Sequence, residues 1–237
     1  MDSKTVVGGY VGNRRSVIRE VYRRAMQMRV RLFFRDDNRL RVEKIDGVEI
    51  IVLPEVFNGV RLRTGAFLAG TLSAAMIPPS ARVLDLGTGS GIGAIFAARY
   101  AARVVATDIN PAAVRCAQIN ALAQHLDHKI ETRVGDLFAP VRDERFDLVL
   151  FNPPYFRGKP RSPLDGAWRS IDVFDRFLRE LPAYLTQTGR ALVVLSSDGE
   201  IADALAEAKH LSVRVIRRRD LINEVLTVYE LQNRERI

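Results

Sequence analysis

From Arg82 onward, short apolar runs alternate strictly with helical stretches, and this alternation constrains the fold more than any other feature of the chain. RVLDL, RVVATD, IETRVGD, FDLVLFN and RALVVLSS read as strands, rich in the β-branched residues that suit a sheet covered on both faces. GIGAIFAARYAA, PAAVRCAQINALAQH and IDVFDRFLRELPAYL read as the helices between them. Strands joined through helices predict right-handed crossovers and a parallel sheet. The tail departs from this rule. LSVRVIRRR and EVLTVYELQ leave no room for a crossover, so they should pair antiparallel. The expected fold class is α/β, a doubly wound, Rossmann-like sheet carrying a small N-terminal addition.

That addition is a helix plus a hairpin. Val17, Val21, Ala25 and Met28 recur at helical steps between Arg14 and Val30, with Ile18 and Tyr22 widening the stripe. LRVEKIDGVEIIVL then places two alternating runs around Asp46-Gly47, a pair that tolerates the tight turn of a hairpin. Residues 1–60 are accordingly read as an accessory unit and 61–237 as the main domain. Thr64 is placed to cap the helix GAFLAGTLSAAM before Pro78-Pro79 stops it.

Composition removes several classes of function. Cys116 is the single cysteine, which excludes an internal disulfide and a Cys-rich zinc site. His125, His128 and His210 have no ligand spacing, so no metal is expected. No stretch approaches the ~20 apolar residues of a membrane span, and MDSKTVVGGYVGNRR has no apolar core of a secretory signal. A cytoplasmic protein is the simplest expectation. Charge is placed unevenly: residues 1–31 hold eight basic side chains against Asp2 and Glu20, which is +6 of the chain's +8. Such an arm suits nucleic acid or an acidic protein face, and equally a solvated helix face.

Four motifs follow the strands. Asp85-Leu86-Gly87-Thr88-Gly89-Ser90-Gly91 is a strand running into a glycine-rich turn that lets a ligand approach the backbone. Gly89-x-Gly91-x-x-Ala94 fits a loose dinucleotide fingerprint, but the early glycines and Asp85 argue instead for a cationic group, such as the amino end of an amino acid. Asp108 ends the second strand, where a carboxylate can accept from both hydroxyls of a ribose. Asp136, after the third, can accept an amine hydrogen from an adenine ring. Asn152-Pro153-Pro154-Tyr155 follows the fourth. Its prolines fix the backbone, and the Asn152 and Pro153 carbonyls can hold the two hydrogens of a planar NH2 group while Tyr155 offers a stacking face.

In this order the motifs resemble class I S-adenosylmethionine-dependent methyltransferases of the amino-methylating kind. The resemblance implies a seven-stranded sheet in the order 3-2-1-4-5-7-6. It implies S-adenosyl-L-methionine as cofactor, with Gly87, Thr88, Gly89 and Gly91 at the methionyl end, Asp108 at the ribose and Asp136 at the adenine. Thr64, Asp85, Ile109, Leu137 and Asn152 complete the expected cofactor side. Asn152, Pro153 and Tyr155 are the expected catalytic residues, and Pro154, Phe156 and Trp168 the expected wall of the acceptor pocket. HemK-type protein glutamine-N5 methyltransferases are similar in the Asn-Pro-Pro-Tyr loop and in the run Ile171 to Leu178. This chain departs from them at Val60 to Ala66, where a Pro-Arg-x-x-Thr-Glu segment is usual, and at Ala167-Trp168-Arg169, where a glycine pair is expected. RNA or DNA adenine-N6 methyltransferases share Asn-Pro-Pro-Tyr-Phe, and small-molecule methyltransferases or other users of the cofactor occupy the same fold. The alternative of an inactive binding module is opposed by the intact acceptor loop. The expected acceptor is a planar amide or aromatic amine.

Overall fold

The computed structural model describes residues 39–221 and 224–234. The basic arm and the stretch from Arg14 to Val30 lie outside the described residues. Arg39–Ile237 forms one compact unit.

In chain order, β1 (Arg41–Ile45) and β2 (Val48–Val52) form the hairpin, turning at Asp46 and Gly47, both at positive φ. A helix α1 (Thr64–Ala69) precedes β3 (Arg82–Leu86), α2 (Ile92–Ala98), β4 (Arg103–Asp108), α3 (Pro111–Ala123), β5 (Ile130–Val134) and β6 (Phe146–Phe151). The chain then makes an excursion through β7 (Phe156–Arg157), α4 (Pro163–Gly166) and β8 (Arg169–Ser170). It ends with α5 (Val173–Glu180), β9 (Leu185–Ser196), α6 (Asp203–Glu207), β10 (Leu211–Asp220) and β11 (Val225–Asn233).

The large sheet has seven strands in the order β10-β11-β9-β6-β3-β4-β5. β5, β4, β3, β6 and β9 run parallel, and β11 is antiparallel to both β9 and β10. Numbered within the sheet, this is the 3-2-1-4-5-7-6 order expected above. Alternate strand residues feed two apolar layers. Val83, Val104 and Leu148 face one layer with α2, α3 and the hairpin residues Val48, Ile50 and Val52. Leu84, Val105, Val149 and Phe151 face the other, with Phe174 and Phe177 of α5.

The hairpin is therefore part of the same core as the sheet. Asn120, fully buried on α3, makes the connection: its Oδ1 accepts from Ile51 N (2.8 Å), and its Nδ2 donates to Ile51 O (2.6 Å) and Ser90 O (2.9 Å). One side chain thus ties β2 to the glycine-rich turn, and no polar group of the set is left without a partner.

Three boundaries differ from the expected ones. The helix expected over GAFLAGTLSAAM stops after Ala69, and Gly70 closes it by donating its N–H to Ala66 O (2.9 Å). Thr64 does not cap that helix: Arg63 holds the cap position at φ 68, and no side chain bonds there. The helix over IDVFDRFLRELPAYL becomes a tighter 3-10 turn at Leu181–Tyr184, where Pro182 has no N–H to continue the α ladder.

Candidate functional site

The carboxyl ends of β3, β4, β5 and β6 open on one cavity of about 490 Å³, the expected place for a ligand of a parallel sheet. Its floor is the glycine-rich turn. Gly87, Gly89 and Gly91 all stand at positive φ (64, 55 and 83°), which only glycine adopts without strain. Gly91 is fixed by packing as well, since a Cβ there would lie 2.9 Å from Ala117 Cα.

The two carboxylates beside the turn are placed differently. Asp85 is buried; its Oδ2 accepts from Thr88 Oγ1 (2.6 Å) and Ala94 N (2.8 Å). Burial raises its pKa to about 6, against the pull of those two hydrogen bonds. Its Oδ1 rests on Gly93, where an added Cβ would come within 2.4 Å. Asp85 thus braces the turn against the start of α2 and shows one edge to the cavity. Asp108 accepts Gly89 N at Oδ2 (3.0 Å) and Asn110 N at Oδ1 (2.9 Å). Each oxygen keeps a lone pair for an incoming hydroxyl. Burial holds its pKa above the ordinary carboxylate range, with the backbone bonds from Asn110 and Gly89 opposing.

Ile109, 68% exposed, Asp136 and Leu137 also line the cavity. The Asp136 carboxylate is ion-paired with Arg176 of α5 (2.6 Å). Arg176 lies in the run Ile171 to Leu178 noted above, but nothing read from the sequence assigned it a role at the site. Sequence reasoning also missed Glu55 and Phe57, which line the cavity from the segment between β2 and α1. Asn120 did carry a signal: a polar residue in step with the buried Ala113, Cys116 and Ala117 of its helix. Two buried hydroxyls on the cavity wall, Ser90 Oγ and Thr107 Oγ1, have no partner among the described residues.

The Asn-Pro-Pro-Tyr loop enters from β6. Asn152 and Pro154 line the cavity, while Pro153 is buried. The Asn152 carboxamide is held at both ends: Nδ2 donates to Thr64 Oγ1 (3.2 Å), and Oδ1 accepts from the Tyr155 hydroxyl. Tyr155 is not where a stacking role would put it. Its ring is 4% exposed and packs in the second apolar layer, off the cavity wall. Its main-chain carbonyl is also tied down, accepting Glu200 N (2.8 Å).

Phe156 and Trp168 likewise do not form the wall expected of them. Phe156 packs against the second layer, and its N–H bonds the Trp168 carbonyl (2.9 Å). The Trp168 ring meets Phe57 edge-on, with centroids 5.0 Å apart and planes at 73°. Their neighbours do the lining. The excursion between β7 and β8 lines the cavity with Pro160, Leu164, Ala167 and Arg169. Among the described residues no cluster of His, Cys, Asp or Glu could hold a metal, and no helix is long and apolar enough to cross a membrane.

Comparison with known proteins agrees with this architecture. The family described as Methyltransferase small domain matches residues 47–220. The chain is similar to a ribosomal protein uL3 glutamine methyltransferase of Bradyrhizobium diazoefficiens, 34% identical over 65% of this chain and 54% of that protein. It is also similar to a release factor glutamine methyltransferase of Cereibacter sphaeroides, 36% identical over 60% of this chain and 57% of that one. The chain therefore spans about half the length of the curated relatives it matches. In fold it is similar to a 16S rRNA N2 G1207 methyltransferase of T. thermophilus, with a TM-score of 0.64 at 22% identity over 83% of this chain and 50% of that one.

Proposed function

The chain belongs to the methyltransferase small domain family, and from that premise we propose that it moves a methyl group from S-adenosylmethionine to a planar NH2 group, a protein glutamine side chain in first place. The observation that carries this reading is the Asn152 carboxamide, braced from behind and facing a cavity whose floor is a positive-φ glycine turn.

The cavity suits the cofactor on its own chemistry. Its cofactor half is lined by Asp85, Asp108 and Asp136, an excess of acceptors fit for a cationic ligand rich in hydroxyl and amine donors. The partnerless Thr107 and Ser90 hydroxyls sit on the same wall. The turn from Gly87 to Gly91, with Thr88, receives the methionyl end, Asp108 the ribose hydroxyls, and Asp136 the purine amine between Ile109 and Leu137. Bound there, the cofactor would supply an electrophilic methyl group, with its thioether as the leaving group.

The chain's own residues prepare the nitrogen. An amide nitrogen is a poor nucleophile because its lone pair is shared with the carbonyl. Asn152 Oδ1 and the Pro153 carbonyl take up its two hydrogens and favour a pyramidal nitrogen, after which one proton leaves to solvent. Positioning and fixed dipoles then supply most of the acceleration. The glutamine acceptor is supported by the names of the relatives, which refer to ribosomal protein uL3 and release factors.

The test is incubation with methyl-labelled S-adenosylmethionine and a cell extract, followed by separation into protein, nucleic acid and small molecules. Label in one protein band, recovered as N5-methylglutamine on hydrolysis of the band by proteases, is the expected result. Label in RNA or DNA would replace glutamine by a nucleobase and make the basic residues before Val30 a grip on phosphate. Cofactor consumed with neither polymer labelled would move the acceptor to a metabolite.

A further inference from the structure

The arrangement behind Asn152 bears on how the acceptor is oriented, and the argument rests on the N-methyl transfer proposed above. A carboxamide is nearly symmetric in shape, but its two ends are opposite in function. Only the oxygen can accept a hydrogen from an acceptor NH2 group; the nitrogen end would present hydrogens to hydrogens. A clamp built on asparagine must therefore be held one way round.

Two hydroxyls stand at its ends, and neither belongs to the cavity wall in the way the motifs suggest. Thr64 is 4% exposed at the first turn of α1, and its Oγ1 accepts from Asn152 Nδ2 at 3.2 Å. Tyr155 is three residues on, with its ring in the core and its hydroxyl donating to Asn152 Oδ1. The phenol has another carbonyl within reach, Val194 O, but at 3.4 Å. Burial pushes the phenol far above its ordinary pKa, although the Thr64 hydroxyl beside it pulls the other way, so it keeps its proton. A buried O–H without an acceptor is costly. Turning the carboxamide over would take away the phenol's nearest acceptor and leave its proton the longer bond to Val194 O or the Thr64 hydroxyl.

The geometry points to Tyr155 as a positioning residue that acts through Asn152: its hydroxyl, with Thr64 as brace at the other end, fixes the carboxamide oxygen toward the acceptor. One lone pair of Oδ1 is spent on the phenol and the second remains for the acceptor hydrogen. The aromatic ring serves to bury the hydroxyl. This assigns Thr64 to the acceptor clamp rather than to the cofactor or to a helix cap.

Tyr155→Phe separates this from stacking, because phenylalanine keeps the ring and loses only the hydroxyl. The assay is transfer from methyl-labelled S-adenosylmethionine into whichever extract fraction the wild type labels. Tyr155→Phe is expected to lower kcat roughly 10–100-fold, the scale of a misplaced catalytic group, with KM for S-adenosylmethionine unchanged. In an Asn152→Ala background the same substitution should change kcat less than about twofold, since its effect passes through the missing carboxamide. Thr64→Val should fall in the same direction, and Thr64→Ser should retain more than Thr64→Val. Wild-type turnover in Tyr155→Phe, or a full additional loss on top of Asn152→Ala, would overturn the assignment. Failure of the transfer reading looks different: no fraction is labelled by the wild type, or Asn152→Ala is as active as the wild type. In that event the protein alone still decides. In the full chain labelled with 15N-asparagine, the Asn152 side-chain amide, identified by its absence in Asn152→Ala, should show a nuclear Overhauser contact to the Thr64 methyl. That contact should weaken in Tyr155→Phe; an amide pair unshifted by the loss of the hydroxyl would overturn the positioning role.

Discussion

The two ends of the large sheet use charge to opposite effect. Where the parallel strands begin, ion pairs link neighbouring segments. Arg82 pairs with Glu144 (2.7 Å), Arg103 with Glu131, and Arg133, from farther along β5, with both Glu131 and Glu144. Hydrogen bonds from Arg133 and Arg103 draw the Glu131 pKa down to about 2. Where the strands end, Asp136 pairs with Arg176, but Asp85 and Asp108 meet backbone N–H groups and one hydroxyl among the described residues, and no cation. Burial raises both. One end is thus fastened by ion pairs, while the other holds two carboxylates, Asp85 and Asp108, that meet no counter-charge. The second arrangement costs stability and leaves acceptors free for a ligand, which is why shifted carboxylates gather at binding sites.

The contrast can be broken most sharply at Asn152. Asn152→Ala should reduce turnover by ~10²–10³, the usual loss for one preorganised hydrogen-bonding group, and leave cofactor affinity near wild type, with the urea midpoint lowered because the Tyr155 phenol keeps only the longer bond to Val194 O. An equal loss from a substitution at the opposite end would erase the distinction.

Next in size is the pH response of Asp85. Its folded pKa, about 6, lies above the ~3.9 of an unfolded aspartate. The folded state therefore binds the proton more tightly, and stability rises as pH falls from about 6 toward about 4. The full gain is on the order of 3 kcal/mol. Urea unfolding across that window should show the rise, and Asp85→Asn should flatten it. A wild-type midpoint that falls steadily from pH 6 to 4 would mean that the buried carboxylate is not strained at neutrality.

Gly93→Ala comes third. The new methyl would meet Asp85 Oδ1 at 2.4 Å, so the brace must shift, at a cost of about 1–3 kcal/mol. Calorimetric titration with S-adenosylhomocysteine should also show weaker binding as the turn moves. Unchanged stability and affinity would show that Asp85 has room to withdraw.

The smallest effect belongs to the fastened end. Arg133→Leu should lower stability by about 1 kcal/mol or less, since its pairs are partly exposed, and leave S-adenosylhomocysteine binding alone. Glu131 has a lowered pKa, so its contribution is present above about pH 4 and is lost as pH falls toward 2. The variant's acid unfolding should accordingly be less steep in that range.

What could be read from sequence followed how strongly each region repeats a pattern. β3, β4 and β6 are covered on both faces, so nearly every position is buried and each holds a short apolar run that is visible in the sequence. The antiparallel tail was legible because a crossover needs residues that are not there. The excursion through β7 and β8 was not: its two-residue strands pair only with each other and show no period. The Asn-Pro-Pro-Tyr sequence locates a loop, because prolines constrain the backbone, but nothing in it says which way the Tyr155 ring points. The apolar layer beneath decides that. Thr64 shows the same limit. A threonine ahead of an apolar run suggests a cap, yet its hydroxyl faces a residue 88 positions later.

The edge-on contact between Trp168 and Phe57 has an optical consequence. Trp168 is the single tryptophan of the 237-residue chain, so all indole fluorescence originates just before β8, at one end of the segment that lines the cavity. Any movement of that segment away from Phe57 changes the polarity and quenching around the only indole present. A change in emission wavelength or lifetime on adding S-adenosylhomocysteine would report such a movement in the native protein, with no label attached.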